Sequence, residues 1–281
     1  MTTSTPGTTR KPPRPQAVLT VEQTQWLSPH LVRVIAGGEG FVDLQECVAT
    51  DMYAKLLFAR PELGLQPPYD LGALKEELPK EDRPVKRTYT IRWIDRDTRR
   101  LAIDFVVHGD TGIAGPWAAA AVPGDPLVLM GPSGAWSPDQ AADWHLFAGD
   151  ASALPATAAG LEALHAGAVG HAYLEVDTAA DILALRAPEG VELHWLLRDG
   201  RTPGTTTLLA DAVAAGPWPE GRVDAFVHGE RGAMKALRDI LFKEKGLARS
   251  QVSLSGYWAY GREEDRFQAE KQDPIGRILE D

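Results

Sequence analysis

The feature that most constrains this chain is a change of texture near residue 140. From Ala17 to about Ser133 the apolar runs are short and broken by turns. AVLTVEQTQW and LVRVIAGG flank Ser28-Pro29-His30 and predict two strands around a turn. DMYAKLLFA predicts a third strand. KRTYTIRWI and RRLAIDFVVHG flank Asp95-Arg96-Asp97-Thr98 and predict a hairpin with alternating faces. DPLVLMGPSG predicts a further strand closing at Gly131-Pro132, and a brief helix is expected at Trp117–Ala121. Many short strands with Gly and Pro turns imply a sandwich or barrel.

After Asp143 strand-like and helix-like runs alternate. WHLFAG, HAYLEV, VELHWLL, RVDAFVHG and QVSLSGYW are the strand candidates. Helical stretches are expected after the first of them and near Ala179–Arg186, Thr206–Ala215 and Ala233–Lys245. That alternation means a parallel sheet, whose right-handed crossovers place ligands at the carboxyl ends of the strands. With 281 residues, two domains are the natural division. Their limits are read as 16–137 and 138–281, with a linker at about Ser133–Ala142. The first 15 residues, rich in Thr, Pro and basic side chains, are expected to be a disordered tail.

Charge and cysteine usage exclude several functions. A formal net charge of −10 disfavours general nucleic-acid binding, which needs a basic face. The single cysteine, Cys47, makes no internal disulfide and cannot hold an iron–sulfur cluster; it reads as a small buried hydrophobe. No signal peptide and no membrane-spanning run is visible, so a cytoplasmic protein without membrane insertion is expected. No HExxH or Cys/His spacing points to a metal, and no GxSxG to a serine hydrolase. The Pro-rich, charged stretch from Arg60 to Lys86 reads as a long loop, either functional or an indifferent insertion.

Five segments are candidates for chemistry. In RTYT, Arg87 offers a fork of donors for phosphate and Tyr89 a flat face or hydroxyl. HGDTGIAGPW, from His108 to Trp117, is a glycine-rich turn entering a short helix, which suits a diphosphate. AGDASALPA joins the first strand of the second half to a helix, with Ser152 as its expected N-cap and Pro155 in the first turn. No GxGxxG follows that strand, so the standard dinucleotide fingerprint is absent. Arg198 and Arg201 in WLLRDGR suit a ribose phosphate or are solvated loop charges. Arg231, Lys235 and Arg238 read mainly as a solvated helix face. GYWAYG places three aromatics after the last strand, as a lid or as a seal on the core.

In this order the segments resemble the siderophore-interacting proteins, a branch of the ferredoxin-reductase-like flavoproteins. The likeness runs from about Ala17 to Asp265 through RTYTIR, LAIDFVVHGDTG with Trp117, PGDPLVLMGPSG, LFAGDASALPA, VHGE and GYWAYG. It implies an N-terminal antiparallel β-barrel holding FAD and an α/β domain receiving NADH or NADPH. Arg87, Thr88, Tyr89 and Thr90 would hold the flavin. Asp104, Val106, His108, Thr111, Gly112, Ile113, Ala114 and Trp117 would serve its remaining parts. Asp150, Ser152 and Ala153 match the family's Gly-Asp-Glu-Thr-Ala turn, which faces flavin and nicotinamide. Asp150 and Ser152 would position rather than react, with Arg198 and Trp258 nearby.

The substrate implied is a ferric siderophore, reduced to release Fe(II). Reduced ferredoxin is the alternative donor. Lys55 matches one basic residue of the family's substrate pocket. Ser133 and Ala259 stand where the family often has Arg, which favours a less anionic chelate. A general flavin reductase or electron-transfer flavoprotein, and a non-catalytic flavin-containing siderophore carrier, are the other readings.

Overall fold

The structure, a computed structural model, describes residues 15–279. All but the last residue of the expected tail lies outside them. Six strands close into an antiparallel barrel: β1 (Ala17–Ser28), β2 (Leu31–Gly37), β3 (Tyr53–Phe58), β4 (Val85–Asp95), β5 (Arg100–Val106) and β6 (Pro126–Ser133). Their order around the barrel is β1-β2-β5-β4-β3-β6. Alternation decides which side chains fill it. Leu19, Val21, Val32, Val34, Leu56, Ile91, Ile103 and Leu129 point inward and are buried. Burying each such side chain is worth about 1.5–3 kcal/mol. Helix α2 (Ala114–Ala120) adds Ala114 and Ala118 to the same core, and Trp117 packs against Phe58 and Phe105.

The stretch from Arg60 to Lys86 is more ordered than its sequence implies. It holds helix α1 (Leu71–Glu77), started by the Asp70 carboxylate, which accepts from the amides of Gly72 and Ala73. Leu71 and Leu74 lie over Leu57 and Val128 on the outside of the barrel, beside Tyr69. One helix turn pair is too short to show a period among so many charges.

The second half is a five-stranded parallel sheet in the order β11-β10-β7-β8-β9. Its strands are β7 (Trp144–Asp150), β8 (Val169–Val176), β9 (Gly190–Leu197), β10 (Val223–Glu230) and β11 (Val252–Trp258). β7 and β10 are buried at every position, because helices or barrel elements cover both faces. The crossovers include α3 (Leu154–Ala163), α4 (Leu208–Ala215) and α5 (Arg231–Arg238), which runs on as a π-helical turn at Asp239–Glu244. Between β8 and β9 the expected helix reduces to a 3₁₀ turn at Ala179–Asp181. There Thr178 and Asp181 satisfy each other's backbone and side chain, and no helix propagates. Tyr257 and Trp258 belong to β11 itself rather than to a segment after it.

Helix α6 (Glu264–Glu270) and the residues after it pack on α5. The α5 face expected to be solvated is their dock. Arg231 is buried on Glu270, and Lys235 donates to the Ile275 carbonyl. Arg238 donates to Asp239 and to the Ile278 carbonyl. Cys47 is half-buried beside the barrel and not part of its core.

Candidate functional site

β7 starts the sheet at its centre. α3 leads from it to one side, and β10 lies on the other. The crevice at the carboxyl ends of β7 and β10 is therefore the switch point at which open α/β sheets take ligands. Asp150 ends β7 there, buried, with both carboxylate oxygens engaged. Oδ1 accepts from the amide of Ser152 (2.9 Å) and its hydroxyl (2.5 Å). Oδ2 accepts from the amide of Glu230 (2.8 Å) and from Nε1 of Trp258 (2.9 Å). One side chain thus ties together the ends of β7, β10 and β11. Ser152 does not cap α3 as expected: its hydroxyl turns back to Asp150, and Ala153 stands at the helix start without a side-chain cap.

Glu230 repeats the device at the end of β10. Oε2 accepts from the amides of Gly232 and Ala233 at the start of α5, and Oε1 from the amide of Tyr260 (3.0 Å). Gly149 has no room for a side chain, since a Cβ there would lie 2.8 Å from Ala153 and from the His228 carbonyl. His228 is sealed between Phe226 (3.8 Å between rings) and Tyr257, with Nε2 on the Ser253 hydroxyl at 2.9 Å. Burial holds it neutral, lowering its pKa to about 3.

The barrel supplies the opposite wall. In the β3–β4 register Lys55 lies opposite Thr88 and Tyr53 opposite Thr90, and Tyr53 also faces Ser133 of β6. Cross-strand partners share a face, so these five line the outside of the barrel. Thr88 and Tyr53 are exposed, and Lys55 and Ser133 half-buried. Thr90 is buried because its hydroxyl meets Tyr257 of β11; burial raises that phenol well above its usual range. The walls are clamped elsewhere by Arg92, which forks onto Glu162 of α3 at 2.9 and 2.5 Å. Tyr89 packs its ring on Phe105 (4.5 Å), and burial pushes its hydroxyl up to about 12.

The barrel domain over residues 20–136 matches the siderophore-interacting FAD-binding domain, and residues 142–261 match the siderophore-interacting protein domain. Ferric vibriobactin reductase ViuB of Vibrio cholerae is 36% identical over 250 residues, 88% of this chain and 90% of its own. The chain belongs to the siderophore-interacting protein family. An uncharacterised protein of Mycobacterium tuberculosis is 43% identical over 272 residues, covering 92% of this chain and 96% of that one. The crystal structure of a siderophore utilization protein from T. fusca superposes with a TM-score of 0.77 at 37% identity, covering 88% and 94% of the two chains. The barrel followed by a parallel sheet is the ferredoxin-reductase-like fold of this family.

Several residues expected at the site have other engagements in this siderophore-interacting protein. Asp104 is held by a two-point ion pair to Arg33 (2.6 and 2.7 Å), its cross-strand partner. Arg198, just past β9, is not a solvated loop charge. It is buried, 3.5 Å from Glu175 and 3.6 Å from Asp177. Arg201 holds the carbonyls of Arg198 and Leu197. Ala259 is buried and cannot line a solvent-facing pocket with its side chain. Arg87 donates to Asp265 of α6 at 3.2 Å. Val106 ends β5 beside Leu31, and Thr111 donates to the His108 carbonyl.

Two contributors escaped the sequence reading. Glu230 lay in the VHGE segment, but a Glu is an uncommon helix cap and gave no signal of its own. Lys271, just after α6, lies beyond the residues that carry the family likeness. Its pKa is lowered by burial and further by Lys55, whose like charge is close enough to be felt; Glu264 opposes the shift. Lys271 also sits over the Phe267 ring at 4.7 Å.

The residues present suit a dinucleotide. The turn from His108 to Ile113 carries Gly109 and Gly112 at φ 59° and 83°, with open space where side chains would be. α2 begins after it with no side-chain cap, so the first amides of the helix are available. Nε of Arg198 is a buried donor without a hydrogen-bond partner, and His108 feels that charge: burial first, then Arg198, lowers its pKa. The open turn, the uncapped amides of α2 and this buried donor are the groups that suit an anionic ligand.

Proposed function

We propose that this chain is an FAD-dependent reductase that passes electrons from a nicotinamide nucleotide to a ferric siderophore. The observation that carries it is the pairing of an outward barrel wall bearing Lys55 and the exposed Thr88 with a fully hydrogen-bonded platform at the sheet's switch point. The resemblance to ferric vibriobactin reductase over 88% of the chain supports the same reading.

Bound FAD supplies the step that joins a two-electron hydride donor to a one-electron ferric acceptor. The protein holds, orients and admits. Arg87, Thr88, Tyr89 and Thr90 would hold the flavin, with Gly112, Ile113 and Ala114 offering backbone donors and Trp117 backing the turn. Asp150 and Ser152 fix the platform on which NADH or NADPH docks; neither is a proton-transfer group, because the carboxylate is fully engaged. Ala153 and Trp258 complete that platform. Lys55 and its neighbour Lys271 attract the anionic chelate, and Ser133 borders it. Iron(II) binds hard oxygen ligands more weakly than iron(III), so reduction releases it.

Purified protein is expected to be yellow. Arg87→Ala is expected to lower flavin occupancy at least several-fold, read by absorbance per chain. Anaerobic reduction by NADH, NADPH and reduced ferredoxin in turn, followed by ferric siderophore, identifies donor and acceptor. Protein that cannot be reconstituted with FAD overturns the proposal.

A further inference from the structure

A second cluster lies away from this site, around the middle of β8 and β9. His171 is registered with Glu192, and Tyr173 with His194. Strand alternation puts all four on one face. Nδ1 of His171 and Nε2 of His194 are 3.2 Å apart, and each lies 3.7 Å from Oε2 of Glu192. A tetrahedral zinc ion with bonds of about 2.0–2.1 Å sets its ligand atoms about 3.3 Å apart. Two imidazole nitrogens and a carboxylate oxygen are donors for borderline divalent transition metals, whereas calcium and magnesium prefer oxygen alone.

We infer that His171, Glu192 and His194 bind one divalent first-row transition-metal ion, with zinc the best match. Both rings are already held. His171 is buried near Trp144 (6.5 Å between rings), and His194 stacks on Tyr173 at 4.7 Å with the planes 14° apart. Glu192 is exposed and free to close on the ion. Without metal the two imidazoles share one N–H···N hydrogen bond; the ion replaces that hydrogen, and the donating ring carries its proton on the other nitrogen. No net proton is released.

Position defines the role. β9 is the edge strand of the sheet, and the cluster bridges it to β8. The ligands are the third to fifth residues of these eight-residue strands, short of the carboxyl ends where Asp150 and Glu230 lie on β7 and β10. The ion is a clasp on the edge strand and lies off the route of electrons. The sequence alone does not show it, because His171 lies on a different strand from Glu192 and His194, with no metal-type spacing between them.

The test uses the full-length, untagged flavoprotein, stripped with chelator and titrated with Co(II) and then Zn(II). One equivalent of Co(II) is expected to give the visible bands of a low-coordinate ion, to be displaced by zinc, and to quench Trp144. His194→Gln and Glu192→Gln are each expected to weaken binding about tenfold or more, scaled from the loss on removing even outer-shell partners. Both side chains reach the surface, and an unchanged flavin content confirms folding. His30 lies within reach of Asp177 and Asp181 in a similar trio, but Asp181 already accepts from Ser28 and Thr178. His30→Gln is therefore expected to leave binding unchanged. Binding that survives His194→Gln, or is lost in His30→Gln, overturns the assignment. The titration needs no turnover, so it stands or falls separately from the reductase reading.

Discussion

The two walls of the candidate site are built on opposite plans. On the α/β side the acidic groups are fully engaged: Asp150 accepts four hydrogen bonds and Glu230 three. On the barrel side Thr88 and Tyr53 face outward and exposed, with Lys55 half-buried between them. The first wall is a platform whose shape is fixed before any ligand arrives. The second is the face left to bind. Preorganised polar groups of the first kind keep a docked ring within a few tenths of an ångström, which hydride transfer demands.

The largest test of this contrast is Asp150→Ala. It leaves the buried amide of Glu230 and the half-buried amide of Ser152 and indole of Trp258 without their acceptor. An unsatisfied buried donor costs about 1–3 kcal/mol, so a total of ~3–5 kcal/mol is expected, lowering Tm by about 10 °C. Thr88→Ala, on the open wall, is expected to leave Tm nearly unchanged and to alter flavin binding only. Thermal unfolding of the two apoproteins makes the comparison. Similar Tm values would show that the α/β wall is no more a frame than the barrel wall.

The next effect is one of pH, again on the platform. His228 has a folded pKa near 3 against an ordinary value of 6.5. The unfolded chain therefore takes up a proton that the folded chain refuses. Stability is complete above about pH 6.5 and is lost as pH falls towards 3, by up to ~3 kcal/mol at pH 4.5. His228→Gln keeps a partner for Ser253 and removes the titration. The urea midpoint of the variant should then fall less between pH 7 and 4.5 than that of the parent. Parallel profiles would mean that His228 is hydrated in solution.

The barrel wall was easier to read from sequence than the platform, for a physical reason. A strand declares itself by alternation, so RTYT and its neighbours fell into place, as did all five parallel strands. The platform depends on hydrogen bonds between residues 80 and 108 positions apart, Asp150 with Glu230 and with Trp258. No local pattern encodes those. Ser152 looked like a helix cap because its neighbours could not reveal Asp150 as the better partner. Arg231 looked solvated because Glu270 lies on a short helix with no apolar period of its own. The helix within Arg60–Lys86 was hidden by charge, and the one expected at Ala179–Arg186 yielded to the local Thr178–Asp181 bonding.

The smallest effect sharpens the barrel wall itself. Ser133 and the buried Ala259 supply no charge, so Lys55 needs another cation if the chelate is anionic. Lys271 fits because it already feels Lys55 as a neighbouring like charge. An anion between them relieves that repulsion, so each lysine should matter more when the other is present. Lys55→Ala is expected to raise KM for a ferric siderophore about three- to tenfold, and Lys271→Ala about two- to threefold, with kcat and flavin content little changed. The double variant should show less than the product of the single effects, and all three effects should shrink as salt screens the pocket. If Lys271→Ala instead lowers kcat or flavin content while KM holds, the lysine serves to dock α6 through Phe267. The cationic face would then end at Lys55, and the chain would select chelates of lower charge.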